Sequence, residues 1–166
     1  MHIIGIDPGI TGAVGIIDSD GVFLGVHDTP VIAVPKFTKR KARHEYNLPA
    51  MARLLEPYAN LAGTLIIIEE AQAMPGQGAV STWSTGYGYG VWIGLIGALG
   101  LRHERIRAAK WKRAMGLSSD KEASRLLASQ LFPSADLSLK RHHGRAEALL
   151  IARYGLSLYK PNMEVA

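Results

Sequence analysis

The sequence predicts an α/β protein: a five-stranded mixed sheet, an antiparallel meander followed by parallel strands, flanked by helices. Three observations carry this reading. The apolar runs at 2–6 and 64–68 are continuous rather than alternating, so each reads as a strand buried on both faces. Each run stops at carboxylates, Asp7 in the first and Glu69 with Glu70 in the second. Between them Leu48, Met51, Ala52, Leu54, Leu55 and Tyr58 recur at helical spacing. A helix joining two strands makes a right-handed crossover, which lays the second strand parallel to the first.

The remaining elements follow in order. Residues 13–17 form a second strand, and Asp18-Ser19-Asp20-Gly21 a hairpin turn with the Asp-Gly step such turns favour. Residues 22–27 form the third strand. A basic loop is expected over 29–46, with Pro30 and Pro35, then Lys36, Lys39, Arg40, Lys41, Arg43 and His44. It is either a solvated loop or a strap that neutralises phosphates. The helix at 48–60 ends before Gly63, and 71–78 is a loop.

Residues 79–99 read as helical although they contain Gly86, Gly88, Gly90, Gly94 and Gly97. Each glycine inside a helix costs about 1 kcal/mol against alanine. Gly86, Gly90 and Gly94 share one face, interleaved with Trp83, Tyr87, Tyr89 and Trp92, so that face expects a close approach. Internal packing is the first expectation and a subunit interface the second. A fifth strand spans 101–106, and a helix at 108–115 carries Lys110, Lys112 and Arg113 around Trp111. Ser119 and Glu122 suggest a capping box for a helix running to 132. After a connection at 133–139, a basic stretch leads into an apolar helix, and a short frayed tail is expected from about 160.

Composition narrows the class. A chain of 166 residues, 48% apolar and 20% charged, fits one globular domain over 1–166. Nineteen Lys and Arg against fourteen Asp and Glu give a net charge of +5, which suits a polyanionic partner. Cysteine is absent, which excludes a disulfide framework and a thiolate zinc site. The N-terminal apolar stretch meets Asp7 too early for a secretory signal, and the run at 91–101 is broken by glycines and too short to span a bilayer. The expectation is a cytoplasmic protein with no membrane partner.

Asp7 is expensive at the end of a buried strand unless a cation or dense hydrogen bonding replaces its water. Opening the Pro8-Gly9 turn is the plainer alternative. The second acid-terminated parallel strand decides for function, because the carboxyl edge of such a sheet is where ligands collect. Glu147 lies among Ala146, Ala148, Leu149 and Leu150, and His143 precedes it by four residues on the same helical face. Taken singly, either is a cap or a dipole partner. Together Asp7, Glu69, Glu147 and His143, with Glu70 adjacent, make a candidate divalent-metal site. Carboxylates suit Mg2+ or Mn2+, and histidine tilts the choice toward Mn2+. Two such ions, roughly 3.5–4 Å apart, hydrolyse phosphodiesters. Lys110, Lys112, Arg113, Lys140, Arg141 and Arg145 are candidate phosphate contacts, Lys140 and Arg141 the nearest to the proposed site.

Ile4-Gly5-Ile6-Asp7-Pro8-Gly9, then Ile66-Ile67-Ile68-Glu69-Glu70, then Gly144-Arg145-Ala146-Glu147-Ala148 resembles RuvC-type Holliday-junction resolvases, and looks closest to their bacteriophage branch. Trp111-Lys112 and the helix at Lys121-Glu122-Ala123-Ser124 extend the likeness. It implies an RNase H-like fold, a homodimer, and metal-dependent paired nicking of four-way DNA junctions and other branched DNA. The catalytic acids carry over to Asp7, Glu69 and Glu147, and the setting becomes a bacterial or phage-infected cytosol. A helicase partner is left open. The chain departs from the pattern at His143, where many relatives carry an acid, and at Gln72 and Met74, where some place an aromatic. Asp7-Pro8-Gly9-Ile10-Thr11 is also similar to the phosphate loop of actin-like ATPases, which need a second domain. A silent junction binder and a nuclease acting on RNA–DNA hybrids are the other readings.

Overall fold

A computed structural model describes residues 1–35, 43–73 and 76–159. The basic positions 36–41, Met74 and the expected tail from 160 lie outside the described residues.

In chain order, β1 (His2–Asp7), β2 (Ala13–Asp18) and β3 (Phe23–Asp28) form an antiparallel meander. β4 (Val31–Val34) and β5 (Arg43–Tyr46) then pair as a separate two-stranded hairpin. After α1 (Leu48–Ala59), β6 (Thr64–Glu69) returns parallel to β1. α2 (Ala79–Ala98) leads to β7 (His103–Ile106), parallel to β6. α3 (Ala108–Ala114), α4 (Lys121–Leu131), a 3-10 turn at Lys140–His142 and α5 (His143–Tyr159) complete the fold. The main sheet has the order β3-β2-β1-β6-β7, the five-stranded mixed sheet expected from sequence. Among the described residues, no helix is long and apolar enough to cross a membrane.

Two expectations are corrected. The span 29–46 is not simply a loop: Val31-Ile32-Ala33-Val34 between Pro30 and Pro35 is a short β-branched run, and it pairs from Val31↔Tyr46 to Val34↔Arg43. The basic residues that follow masked it. Helix α4 is capped by Asp120, whose carboxylate accepts from the Glu122 amide at 2.9 Å, rather than by Ser119. Glu122 instead pairs with Arg125.

Strand alternation sorts the core into two layers. Ile3, Leu65 and Ile67 face α5 and α3, packing with Trp111, Phe132, Leu149 and Leu150. Ile4, Ile6, Ile66 and Ile68 face α1 and α2, packing with Met51, Leu55, Trp92 and Ile96. On the first face α5 lies unusually close to the sheet. Gly5 and Gly15 are paired across β1 and β2. A Cβ on Gly5 would fall 2.1 Å from the Ala148 carbonyl oxygen, and one on Gly15 would fall 2.7 Å from the Leu149 nitrogen. One turn earlier, a Cβ on Gly144 would meet the Thr11 carbonyl oxygen at 2.3 Å. Backbone therefore rests on backbone, and the depth and rotation of α5 are fixed by atoms that cannot yield.

This contact predicts that Gly5→Ala lowers unfolding free energy by about 1–3 kcal/mol, the cost of overpacking a filled site. In the monomer, Gly94→Ala, where a Cβ meets nothing within 4 Å among the described residues, gains up to about 1 kcal/mol from helix propensity. Urea denaturation of both variants checks the contrast.

Candidate metal and nucleic-acid site

Because Ile6 pairs with Ile68, continuing the parallel register sets Asp7 beside Glu69 at one sheet edge. By alternation both side chains leave the sheet on the α5 face. Glu147, 8% exposed, descends onto the same edge from the first turns of α5. Glycine again permits the approach: a Cβ on Gly12 would lie 2.9 Å from the Asp7 carboxyl carbon.

The three acids feel one another. Burial, then the charge of Glu147, pushes Asp7 up to about 6, although the Gly9 amide donating to its Oδ1 at 3.2 Å pulls the other way. Burial pushes Glu69 up to about 7; its hydrogen bond from Trp111 opposes this, and the charges of Asp7 and Glu147 add to it. Neighbouring donors supply partial compensation. The Trp111 indole donates to Glu69 Oε2 at 2.7 Å, and the Lys112 ammonium donates to Glu147 Oε1 at 2.6 Å. Lys112 also lies 5.1 Å from the Trp111 ring centroid. The charge of Lys121, at the start of α4, also favours ionised Asp7. In a buried trio of this kind the charged form of each acid is disfavoured, and a nearby positive charge would relieve that cost.

The sequence-derived ligand set is only partly assembled. Among the described residues, no group of three or more His, Cys, Asp or Glu side chains stands arranged to hold a metal ion. Glu147 is engaged by Lys112 and Glu69 by Trp111. His143 does sit one turn before Glu147, but its Nδ1 lies 3.1 Å from the Lys140 carbonyl oxygen. It lines a groove with Asp120, Lys121, Glu122, Lys140 and Arg141. Glu70 leaves the sheet on the opposite face, where its Oε2 accepts from Arg107 Nε at 3.4 Å and its charge acts on Tyr89.

The candidate phosphate contacts divide similarly. Lys110, Arg113, Lys140 and Arg141 are exposed. Lys112 is drawn inward to Glu147. Arg145 is committed elsewhere: its Nε and Nη2 reach both carboxylate oxygens of Asp28 at 2.6 and 2.8 Å, and its Nη1 reaches Asp136. It ties α5 to β3, a role its sequence neighbours did not signal. The glycine face of α2 is likewise corrected. A Cβ on Gly86, Gly90 or Gly94 would meet nothing within 4 Å among the described residues, which leave the stripe open, whereas Gly88 is buried where a Cβ would strike the Tyr46 hydroxyl at 2.0 Å.

Comparisons define first the class of fold. Two solved structures of Thermus thermophilus RuvC share it across nearly the entire chain. One, RuvC in complex with Holliday junction substrate, superposes with a TM-score of 0.56 at 17% identity, covering 100% of this chain and 98% of that one. The other, a Thermus thermophilus RuvC structure, gives 0.58 at 18%, covering 98% and 97%. In sequence, the chain is 35% identical over 98 residues to the chloroplastic Holliday junction resolvase MOC1 of Chlamydomonas reinhardtii. That match spans 57% of this chain and 11% of the algal protein's length. No family model matches.

The raised acids give a stability signature in the metal-free protein. Both bind their proton more tightly folded than unfolded, so the stability they contribute is complete below about pH 4 and is lost as pH rises through about 6 to 7. The melting temperature should fall between pH 4.5 and 7.5, and Asp7→Asn or Glu69→Gln should flatten that fall. Asp28 and Asp136, held below the usual carboxylate range by Arg145 and by Ser138, titrate beneath this window. Calorimetric melting across pH reads the difference.

Proposed function

We propose that this chain is a divalent-metal-dependent endonuclease selective for branched DNA, which resolves four-way junctions by paired, symmetric nicks. The observation that carries the reading is the electrostatically coupled trio Asp7, Glu69 and Glu147 on β1, β6 and α5. Its support is the fold shared with RuvC and the sequence match to a junction resolvase. These relatives are bacterial and algal, and neither supports the bacteriophage branch.

The donor set fits a hard cation: three carboxylates, two of them resisting ionisation until positive charge arrives. Asp7, Glu69 and Glu147 would hold Mg2+ or Mn2+, and His143 is the proposed fourth ligand, after its ring leaves the Lys140 carbonyl. Bound divalent ions supply water activation and stabilisation of the leaving oxygen. The chain's own residues do the rest. Trp111 fixes the Glu69 carboxylate by its indole hydrogen bond. Lys112, released from Glu147, is within a side chain's length of the site and takes a phosphate oxygen. Lys110, Arg113, Lys140 and Arg141 hold flanking phosphates, which makes binding salt-dependent.

A homodimer fits the same reading, since two sites related by a two-fold axis cut opposing strands of a symmetric junction. The open glycine face of α2 supports a close approach by a second copy.

The test uses a labelled four-way junction beside linear duplex and RNA–DNA hybrid, each with Mg2+, Mn2+ or EDTA. Paired nicks on opposing junction strands are expected, abolished by EDTA and lowered at least about 100-fold by Asp7→Asn or Glu147→Gln. Cleavage confined to the hybrid would move the function to RNase H. Junction binding without cleavage under either metal would make the protein a silent binder.

A further inference from the structure

Outside the acid cluster, the most unusual surface is aromatic. Trp83 is 72% exposed and Tyr87 is 47% exposed, one turn apart on α2. Their rings stack nearly parallel, 12° between planes with centroids 6.3 Å apart. Tyr87 in turn tilts against Tyr46 of β5 at 5.8 Å and 59°. Tyr46 is buried, and its hydroxyl donates to the Pro8 carbonyl at 3.4 Å, in the turn that follows Asp7. Three rings therefore form a ladder from solvent to the catalytic turn. The ladder is built into the backbone, because only glycine at 88 leaves room for the Tyr46 hydroxyl. It walls a groove of about 730 Å³ shared with Ile10, His44 and Val80.

Resting on the nuclease reading above, we infer that Trp83 and Tyr87 are a stacking platform for an unpaired nucleobase of the branched substrate. Two flat, parallel, exposed rings offer a π-face to any base, and such stacking tolerates every base because each has a π-face. In linear duplex the bases are already stacked on one another, so the platform favours DNA whose strands part at a branch. Position supports the occupant: the ladder ends at the carbonyl beside Asp7, so a base held there belongs to a nucleotide close to the reacting phosphate. Trp83 and Tyr87 take no part in the metal site.

Binding is measured in EDTA with a fluorescein-labelled four-way junction, a thymidine oligonucleotide and a linear duplex, using wild type, Trp83→Ala and Trp83→Phe. Trp83→Ala should weaken junction and single-strand binding by roughly 5- to 150-fold and leave duplex binding unchanged, with Trp83→Phe restoring most of the loss. A second readout uses intrinsic emission: Trp92 and Trp111 are fully buried, so the component absent from Trp83→Phe reports position 83. The oligonucleotide should quench that component. Unchanged junction and single-strand affinity in Trp83→Ala, with no quenching in wild type, would overturn the inference. So would a loss of affinity that tracks dissociation to monomers in sedimentation, which would make a second copy the occupant. Wild type binding no branched DNA would instead sink the nuclease reading itself, whereas a Trp83→Ala protein that binds and nicks junctions normally leaves that reading standing and removes only this one.

Discussion

Everything at the site depends on how closely α5 lies against β1 and β2. Gly5 and Gly15, paired across the two strands, leave a shallow trough in the sheet, and α5 answers with Gly144, Ala148 and Ala152. Contacts of backbone on backbone cannot relax by rotamer change, so the helix has one depth. Glu147 is carried by that helix, and Asp7 and Glu69 by strands whose register is fixed by hydrogen bonds. Acids from three distant stretches of sequence are thus held at one edge by packing rather than by attraction for one another. Their mutual repulsion works against the contact that assembles them, and the glycine packing must exceed it.

Burial, with that repulsion added to it, explains the company the acids keep. Asp7 and Glu69 are pushed toward neutrality, to about 6 and about 7. Glu147 is bound to Lys112 in a pair whose two side chains are only 10% and 16% exposed. Breaking a buried pair by removing one partner leaves an uncompensated charge. Lys112 is consequently the local counterion of the acid cluster. Trp111 acts differently: its fully buried ring anchors α3 to the core while its N–H orients Glu69. One adjacent pair of residues on a two-turn helix fixes two of the three carboxylates.

How much of this was legible in sequence follows from the range of the interactions. The continuous runs before Asp7 and Glu69, the amphipathic helix and the meander are local patterns, and the sheet follows from them. Acids that end buried strands are anomalous against their own neighbours, so Asp7 and Glu69 stood out, as did Glu147 within an apolar helix. The resemblance preferred Glu69 to Glu70, and the strand's alternation, which turns Glu70 toward Arg107, supplies the physical reason. Arg145 reads as a basic residue beside basic residues, yet Asp28, from the far end of the meander, binds it. The β4–β5 hairpin was hidden because four apolar residues lie next to a charged block. The open face of α2 shows the limit in the other direction. Its glycine spacing announced a close approach, but only the open space beside Gly86, Gly90 and Gly94 shows that none of the described residues makes it.

In the proposed function, Asp7, Glu69 and Glu147 together bind a hard divalent cation. Terbium luminescence tests it directly, because the ion prefers carboxylate oxygens and is sensitised by a nearby indole. The Trp111 indole already donates to Glu69. Excitation of tryptophan should give terbium emission that Mg2+ or Mn2+ competes away, and that Asp7→Asn and Glu147→Gln each diminish in a protein that still folds. Emission that is absent, or indifferent to both substitutions, would contradict the assignment of this carboxylate trio as a metal site.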